Sequence, residues 1–427
     1  MKIQRHLASQ SSIIFAARLG GAGLIFLVQA LIARIWGPEL LGEYLIVVAM
    51  VNLIAVAMPL GFHTVGTYFA AEYRARGERK QFVVFLTRSY AHVVGALVLL
   101  LIAGPPLMDG LGLGETVLAN HFIPVVLLAF GTAMVYVNGA LLVGLKRPLA
   151  GFFADTMFRP MIVMAAFLAT MGFASAPEGF ATMLWAIAIG YVGVALVHFG
   201  FVVTSVPRLD DTSPVRTLES RRWWRFALPW VLISLATDFF FDIDLLLLSQ
   251  SLSREELAIF GVCTRIFSLI SFGVAAVYAV TLPDMFESEA NVVASGLAVV
   301  LFVAVLIGGP FALMLFGPTF SAGALPLAVL CLALVVRSVM GPASIVLSIH
   351  DRPYASLPSV FLGIASLALF NWLLVPLWGL MGAALSAIFA ITVWSVGLWF
   401  IALRTAKLDV SIMQWFRNRH ARAVPAE

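Results

Sequence analysis

Apolar residues run through this chain in long stretches, interrupted by charges, glycines and prolines. Read between those interruptions, the pattern predicts twelve helices near residues 12–34, 41–66, 82–104, 118–143, 150–171, 180–204, 224–249, 257–281, 293–316, 322–348, 355–375 and 380–403. Crossing the hydrocarbon core of a bilayer takes about 20 residues, so each run is long enough to span. The predicted fold class is all-α, a polytopic membrane protein with twelve transmembrane helices in two six-helix lobes around a central cavity.

Composition excludes the alternatives. The chain has 427 residues, 62% hydrophobic and 11% charged, with a mean hydropathy of +1.02. Soluble domains carry roughly 25% charged residues, and neither they nor a disordered chain would hold so much apolar surface. Two cysteines, Cys263 and Cys331, lie inside apolar runs and read as small buried hydrophobes. Twelve spans use on the order of 240 residues, which leaves no room for a large extramembrane enzyme domain. The basic start MKIQRHLASQ leads into an apolar run too long for a signal peptide, so this run is expected to stay as the first span.

Charge sets the orientation. The N-terminus, the loops after even-numbered spans and the C-terminal tail hold 19 of the 26 Lys and Arg residues, whereas the opposite loops hold Arg34 and Arg254. By the positive-inside rule both termini are cytoplasmic. The acidic loop 282–292 departs from the pattern, but acidic residues contribute little to it. Because the basic residues sit in short loops, the pI near 9.2 reflects membrane topology and not a nucleic-acid partner. Trp223 and Trp224 after Arg221 and Arg222 are expected to anchor the seventh span at the interface, and the tail 404–427 to lie on an anionic leaflet.

The second half echoes the first. GPELLGEYLIVVAM resembles SREELAIFGVCTRI, placing Glu39 over Glu255, Leu41 over Leu257 and Tyr44 over Phe260. Further on, Pro124 and Gly139 answer Pro326 and Gly341, and KRP at 146–148 answers DRP at 351–353. A six-span repeat begins and ends on one side, so its copies are parallel and related by an axis along the membrane normal. The expected organisation is an N-terminal lobe (1–204), a cytoplasmic linker (205–222), a C-terminal lobe (223–403) and the basic tail (404–427).

Ionisable groups at membrane depth are functional candidates by default. Arg88 is near enough to its span's end to snorkel, and Arg159 follows Asp155 by four residues, the spacing of a helical ion pair. Arg18, Arg265 and Arg337 lie deeper. Arg337 is expected near the midplane on a stripe with Gly341, Ser344 and Ser348; Arg18 shares a face with Ala22 and Gln29. In the second span Asn52, Ala55, Pro59 and His63 line up, with Pro59 loosening the helix. Such stripes serve either a polar path or close helix packing. In the seventh span Asp238 and Asp242 fall on one face, with Asp244 offset. These carboxylates either lock the fold by pairing with the arginines or exchange partners and protons during a cycle. Guanidinium groups in a wet cavity suit phosphate. No phosphate-binding loop, metal-ligand spacing or nucleophile–base pair occurs, so no cofactor, metal or enzymatic activity is expected.

The segment RLGGAGLIFLVQALIARIWGPELLGEYLIVVAMVNLIAVAMPLGF resembles the first two spans of bacterial polysaccharide-export flippases, and LFGPTFSAGALPLAVLCLAL resembles their ninth-to-tenth junction. These are O-antigen repeat-unit flippases of the multidrug/oligosaccharidyl-lipid/polysaccharide superfamily. The resemblance implies alternating-access transfer of undecaprenyl-diphosphate-linked oligosaccharides to the periplasmic leaflet of the bacterial inner membrane, driven by a proton or sodium gradient. It implies membrane lipids as partners, together with a polysaccharide polymerase and chain-length regulator. On that reading Arg18, Arg265 and Arg337 attract the diphosphate, Asn52 binds sugar hydroxyls, and Asp238 and Asp242 couple or gate. The rival readings are a cation-coupled multidrug exporter of the same superfamily and a non-transporting scaffold of a polysaccharide synthesis complex.

Overall fold

The computed structural model describes residues 2–110, 112, 114, 116–206, 219–280, 289–349, 353–405, 407 and 409–415. Most of the expected linker (207–218), most of the acidic loop (281–288) and the end of the basic tail (416–427) lie outside the described residues.

All regular structure among the described residues is helical, and the chain divides into two compact units, Met1–Asp242 and Ile243–Glu427. The first unit holds α1 (Lys2–Ile35), α2 (Pro38–Ala57), α3 (Phe62–Arg76), α4 (Arg79–Gly110), the short α5 (Val117–Asn120) and α6 (Phe122–Gly144). It continues with α7 (Pro148–Phe153), a π-turn (Ala154–Phe158), α8 (Arg159–Thr170), α9 (Ala176–Ser205) and α10 (Glu219–Thr237). The unit boundary falls inside α11 (Phe240–Leu248). The second unit holds α12 (Arg254–Val280), α13 (Glu289–Met314), α14 (Ala324–Met340), α15 (Ala343–Ile349) and α16 (Leu357–Thr405).

In the first unit α6 is the core helix, packed on α9, α3, α2 and α4; Val126, Ala129, Ala133 and Val137 are buried along it. In the second, α14 packs on α16, α13 and α12 through Leu327, Leu330 and Leu334. Outer faces carry large exposed apolar side chains, among them Leu99, Ile102, Ile307, Phe311 and Trp372, a surface that suits lipid rather than water. Among the described residues, ten helices are long and apolar enough to cross a membrane, and the protein is a multi-pass membrane protein. The last of the ten includes the 49 residues of α16, roughly 70 Å of helix against a core of about 30 Å. Gly379, at φ 52° and ψ −128°, divides it.

Three expected spans are broken well inside their length, each for a local reason. In 41–66, Pro59 stops α2, and Leu60 (φ 49°) and Gly61 (φ 84°) turn the chain before α3 begins. Pro59 therefore interrupts the helix rather than loosening it, and His63 does not continue the stripe of Asn52 and Ala55. In 224–249, α10 ends at Thr237 and α11 starts at Phe240, so Asp238 lies in the gap and shares no helical face with Asp242. In 322–348, Gly341 (φ 80°) and Pro342 end α14. The stripe from Arg337 to Ser348 does not exist as one helix, and Arg337 lies in α14's last turn, where the helix dipole favours a cation.

Both halves open equivalent helices at the matched motifs. Glu39 is in the first turn of α2 and Glu255 in that of α12, where Ser253 and Glu256 form a reciprocal capping box. Pro124 and Pro326 are each the third residue of their helix, but α6 runs through Gly139 whereas α14 stops before Gly341.

A clasp ties α10 to α3 and α4. The Arg222 guanidinium donates to both oxygens of Glu72 (3.1 and 2.9 Å) and to the Tyr68 hydroxyl (3.1 Å), and lies over the Phe69 ring. Trp223 Nε1 donates to the Tyr73 hydroxyl (2.6 Å), which donates to Glu219 (3.0 Å). Trp223 is 1% exposed and packs on Phe85, so it is a core residue, not the expected headgroup anchor. This clasp explains why α10 belongs to the first compact unit. The described start of the tail also departs from expectation. Asn291 Nδ2 donates to Val410 O (2.9 Å) and the Ile412 N–H donates to Val339 O (3.0 Å), which pins residues 409–415 to the second unit.

Two outcomes are expected. A Cβ at Gly61 would lie 2.1 Å from Ala227 O, at a φ that side chains rarely adopt, so Gly61→Ala should destabilise by at least about 2 kcal/mol. An unchanged melting temperature in detergent would contradict the turn. Glu72→Arg or Arg222→Glu alone should lower the melting temperature, and the charge-swapped pair should recover part of the loss, with a coupling of about 1 kcal/mol or more. Additive losses would dissolve the clasp.

Candidate functional site

Within the first unit, polar side chains from three elements, the π-turn, α6 and α9, converge on Arg159. Pro160 lacks the N–H that would bond the Thr156 carbonyl one turn back. The backbone widens there instead, and the Arg159 N–H reaches Ala154 O across a π-turn. The freed Thr156 carbonyl faces α1 at Gly21, where a Cβ would sit 1.8 Å from it; only glycine allows that approach. The π-turn carries Asp155 in its first turn and delivers Arg159 toward α6 and α9.

There the guanidinium is caged. Nη1 holds the Asp155 carboxylate, Nη2 donates to Thr132 Oγ1 (3.1 Å), and the group lies 4.6 Å from the Tyr191 ring centroid and 5.7 Å from that of Tyr136. Its Nε is buried with no hydrogen-bond partner. The ion pair is asymmetric: the Arg159 side chain is 11% exposed and that of Asp155 44%. The expected pair at this spacing is present, but the arginine end is enclosed by aromatic rings and a threonine. Arg18, itself exposed, rests on the Phe152 ring at 4.9 Å, one turn before Asp155.

A second group lies beside the first. Asn52 Nδ2 donates to Asp242 Oδ2 (3.0 Å), and Asp242 is buried. Tyr136 is within electrostatic range of both Asp242 and Arg159, and its ring lies 6.1 Å from that of His63. Asp238 is in a different setting: exposed in the α10–α11 gap, it accepts from Ser234 Oγ (3.0 Å) and Thr237 Oγ1 (3.2 Å).

In the second unit, Arg265 is half-buried on α12, and exposed Arg337 lies 5.6 Å from the Trp394 ring centroid. Asp244 is fully buried and accepts from Asn371 Nδ2 (2.8 Å). Tyr278 donates to Asn291 (2.9 Å) and to Ser338 O (3.3 Å), which joins α12, α13 and α14. Both cysteines are free and buried. Among the described residues, no three His, Cys, Asp or Glu side chains are grouped to hold a metal ion.

Of the six residues singled out from sequence, the structure joins Asn52 to Asp242 and sets Asp238 apart. Thr132, Tyr136 and Tyr191 were not anticipated. The available signal was the i, i+4 spacing of Thr132 and Tyr136 in the largely apolar α6, which puts both on one face.

A family described as "Polysaccharide biosynthesis protein" matches residues 7–289. No curated protein matches the chain. Among solved structures, the chain is similar to an inward-facing multidrug resistance MATE family transporter of the MOP superfamily, at 19% identity and a TM-score of 0.68, covering 92% of this chain and 98% of that one. It is also similar to the lipid II flippase MurJ in an inward closed conformation, at 10% identity and a TM-score of 0.71, covering 97% and 94%. A MOP superfamily transporter from Pyrococcus furiosus gives 16% identity and a TM-score of 0.58 over 92% and 94%. With the fold of the MOP superfamily and a match over most of its length, this chain belongs to the polysaccharide biosynthesis protein family.

Proposed function

We propose that the protein is a flippase that moves undecaprenyl-diphosphate-linked oligosaccharide repeat units from the cytoplasmic to the periplasmic leaflet by alternating access. The observation that carries this reading is the family match over residues 7–289; guanidinium groups held within apolar helices provide the chemistry a diphosphate requires. Twelve spans are proposed: α2 with α3, α10 with α11 and α14 with α15 each count as one, and α16 as two, in two six-helix lobes. Both termini are assigned to the cytoplasm from the distribution of basic residues.

Arg18, Arg265 and Arg337 are assigned to the diphosphate. Asp238 and Asp242 are assigned to coupling, with a proton or sodium ion as the driving species. Asn52, first assigned to sugar hydroxyls, already holds Asp242 by its amide. It therefore joins the coupling pair, and a sugar contact would have to come from its remaining acceptor. A gradient drives the cycle only where binding differs between the inward and outward states. The amide contact that Asn52 makes with Asp242 does not itself require the carboxyl group to be charged. The solved MATE likeness favours one rival, a cation-coupled multidrug exporter. A deletion strain with a drug phenotype and normal surface polysaccharide would select that rival, whereas lipid-linked repeat units trapped on the cytoplasmic face would select the flippase.

Arg337→Ala is expected to abolish repeat-unit export at normal membrane abundance, and Arg337→Lys to retain part of it if charge alone suffices. Export at the wild-type level by stably inserted Arg337→Ala would remove that residue from the substrate path. Asp242→Asn keeps the shape of the Asn52 contact and removes the charge. We expect near-normal abundance with export that no longer responds to the imposed ion gradient, measured in right-side-out vesicles. A preserved gradient response would take Asp242 out of coupling.

A further inference from the structure

We propose that Arg159 is a diphosphate-binding residue whose anion site is occupied by Asp155 in the state seen here and is taken over by the substrate's diphosphate. This rests on the proposed class of substrate and adds a site to it, because Arg159 is not among the residues assigned above.

Three observations on the first unit support it. An enclosed guanidinium needs an anion at all times, since removing one partner of a buried pair leaves an uncompensated charge. Asp155 supplies that anion from the exposed side: its side chain is 44% exposed while that of Arg159 is 11%. A competing anion can therefore approach the carboxylate without opening the cage. Second, the contact with Asp155 is through Nη1 alone, and the Nε–H is a buried donor with no acceptor. Unsatisfied buried donors are rare in native structures. A phosphate group offers more acceptor positions than one carboxylate oxygen and carries more charge, so it can answer donors that Asp155 leaves unmet. Third, a second cation stands close to Asp155. Phe152, Asp155 and Arg159 are spaced at i, i+3 and i+7, and Arg18 rests on Phe152. Along the chain Asp155 thus lies between Phe152, on which Arg18 rests, and Arg159.

The cage itself suits a group that must stay charged and oriented while its anion changes. The rings of Tyr191 and Tyr136 hold the guanidinium by cation–π contact, and Thr132 fixes Nη2. None of these contacts depends on which anion is bound. The π-turn that presents Asp155 and Arg159 is a backbone feature frequent at functional sites, and here it follows from Pro160.

The test uses the purified full-length protein in detergent, with undecaprenyl diphosphate lacking any glycan as the probe. Undecaprenol reports binding of the lipid tail alone, and inorganic pyrophosphate reports binding of the free anion. Asp155→Asn should tighten undecaprenyl diphosphate binding roughly tenfold by removing the internal competitor, while leaving undecaprenol unchanged. Arg159→Lys should weaken diphosphate binding roughly tenfold or more, with a melting temperature close to wild type. Competition by inorganic pyrophosphate that weakens in Arg159→Lys would support the site and identify a free anion as a second source. Affinity in Asp155→Asn that is unchanged or weaker, while the wild type binds the probe, would overturn the proposal and leave the flippase reading intact. A wild-type protein that binds undecaprenol and undecaprenyl diphosphate equally would overturn both.

Discussion

A charge or a backbone polar group inside hydrocarbon has no water to turn to, so the protein must supply its partner. That constraint organises both units. Arg159 is answered by Asp155, Thr132 and two aromatic faces, Asp242 by Asn52, and Asp244 by Asn371. The same rule governs the helix breaks, where the backbone itself is the group in need. At the first break Leu60 N–H returns to Ala57 O and Phe62 N–H to Pro59 O, while Thr64 Oγ1 covers Gly61 O. At the break after α10, Asp238 N–H bonds Ser234 O while its carboxylate takes two hydroxyls.

The break at Gly341 shows how far the compensation reaches along the chain. Pro342 has no N–H for the Ser338 carbonyl, and that carbonyl instead accepts from Gly341 N–H (3.1 Å) and the Tyr278 hydroxyl (3.3 Å). Ala343 N–H turns to Gly341 O, which would leave Val339 O unmet. Ile412, from beyond the last helix, donates to it. The tail is thus pinned because a proline and a positive-φ glycine create acceptors that the helix no longer satisfies. Its basic character, which suggested a segment lying on the leaflet, does not determine where residues 409–415 go.

Helix positions were legible because an apolar run of span length has few alternatives in any solvent. The breaks were harder to read, although their causes are in the sequence. Pro59 and Pro342 look alike to a hydropathy window, yet whether a proline bends or stops a helix depends on the residues after it. Leu60 and Gly61 adopt positive φ together, and this lets the chain turn fully. Asp238 and Asp242 have the spacing of one helical face, and only the fold reveals the gap between Thr237 and Phe240. Trp223 shows the converse problem. A tryptophan beside arginines reads as an interfacial anchor, but Tyr73 and Phe85, far away in sequence, enclose it. The Asp155–Arg159 spacing gave the pair, while the cage came from α6 and α9, whose contributions no local pattern reports.

The two kinds of buried contact differ in what they permit. In Asn52–Asp242 and Asn371–Asp244 a neutral amide donates to the carboxylate, a contact that does not itself require a charged acceptor. In Asp155–Arg159 both partners are charged, and the arginine cannot give up its proton; the arrangement can change only by exchanging one anion for another. A protein that links an ion gradient to an anionic cargo needs both behaviours, one group whose charge can vary and another whose charge is fixed and whose counter-ion can vary. The first unit places Asp242 and Arg159 both within electrostatic range of Tyr136.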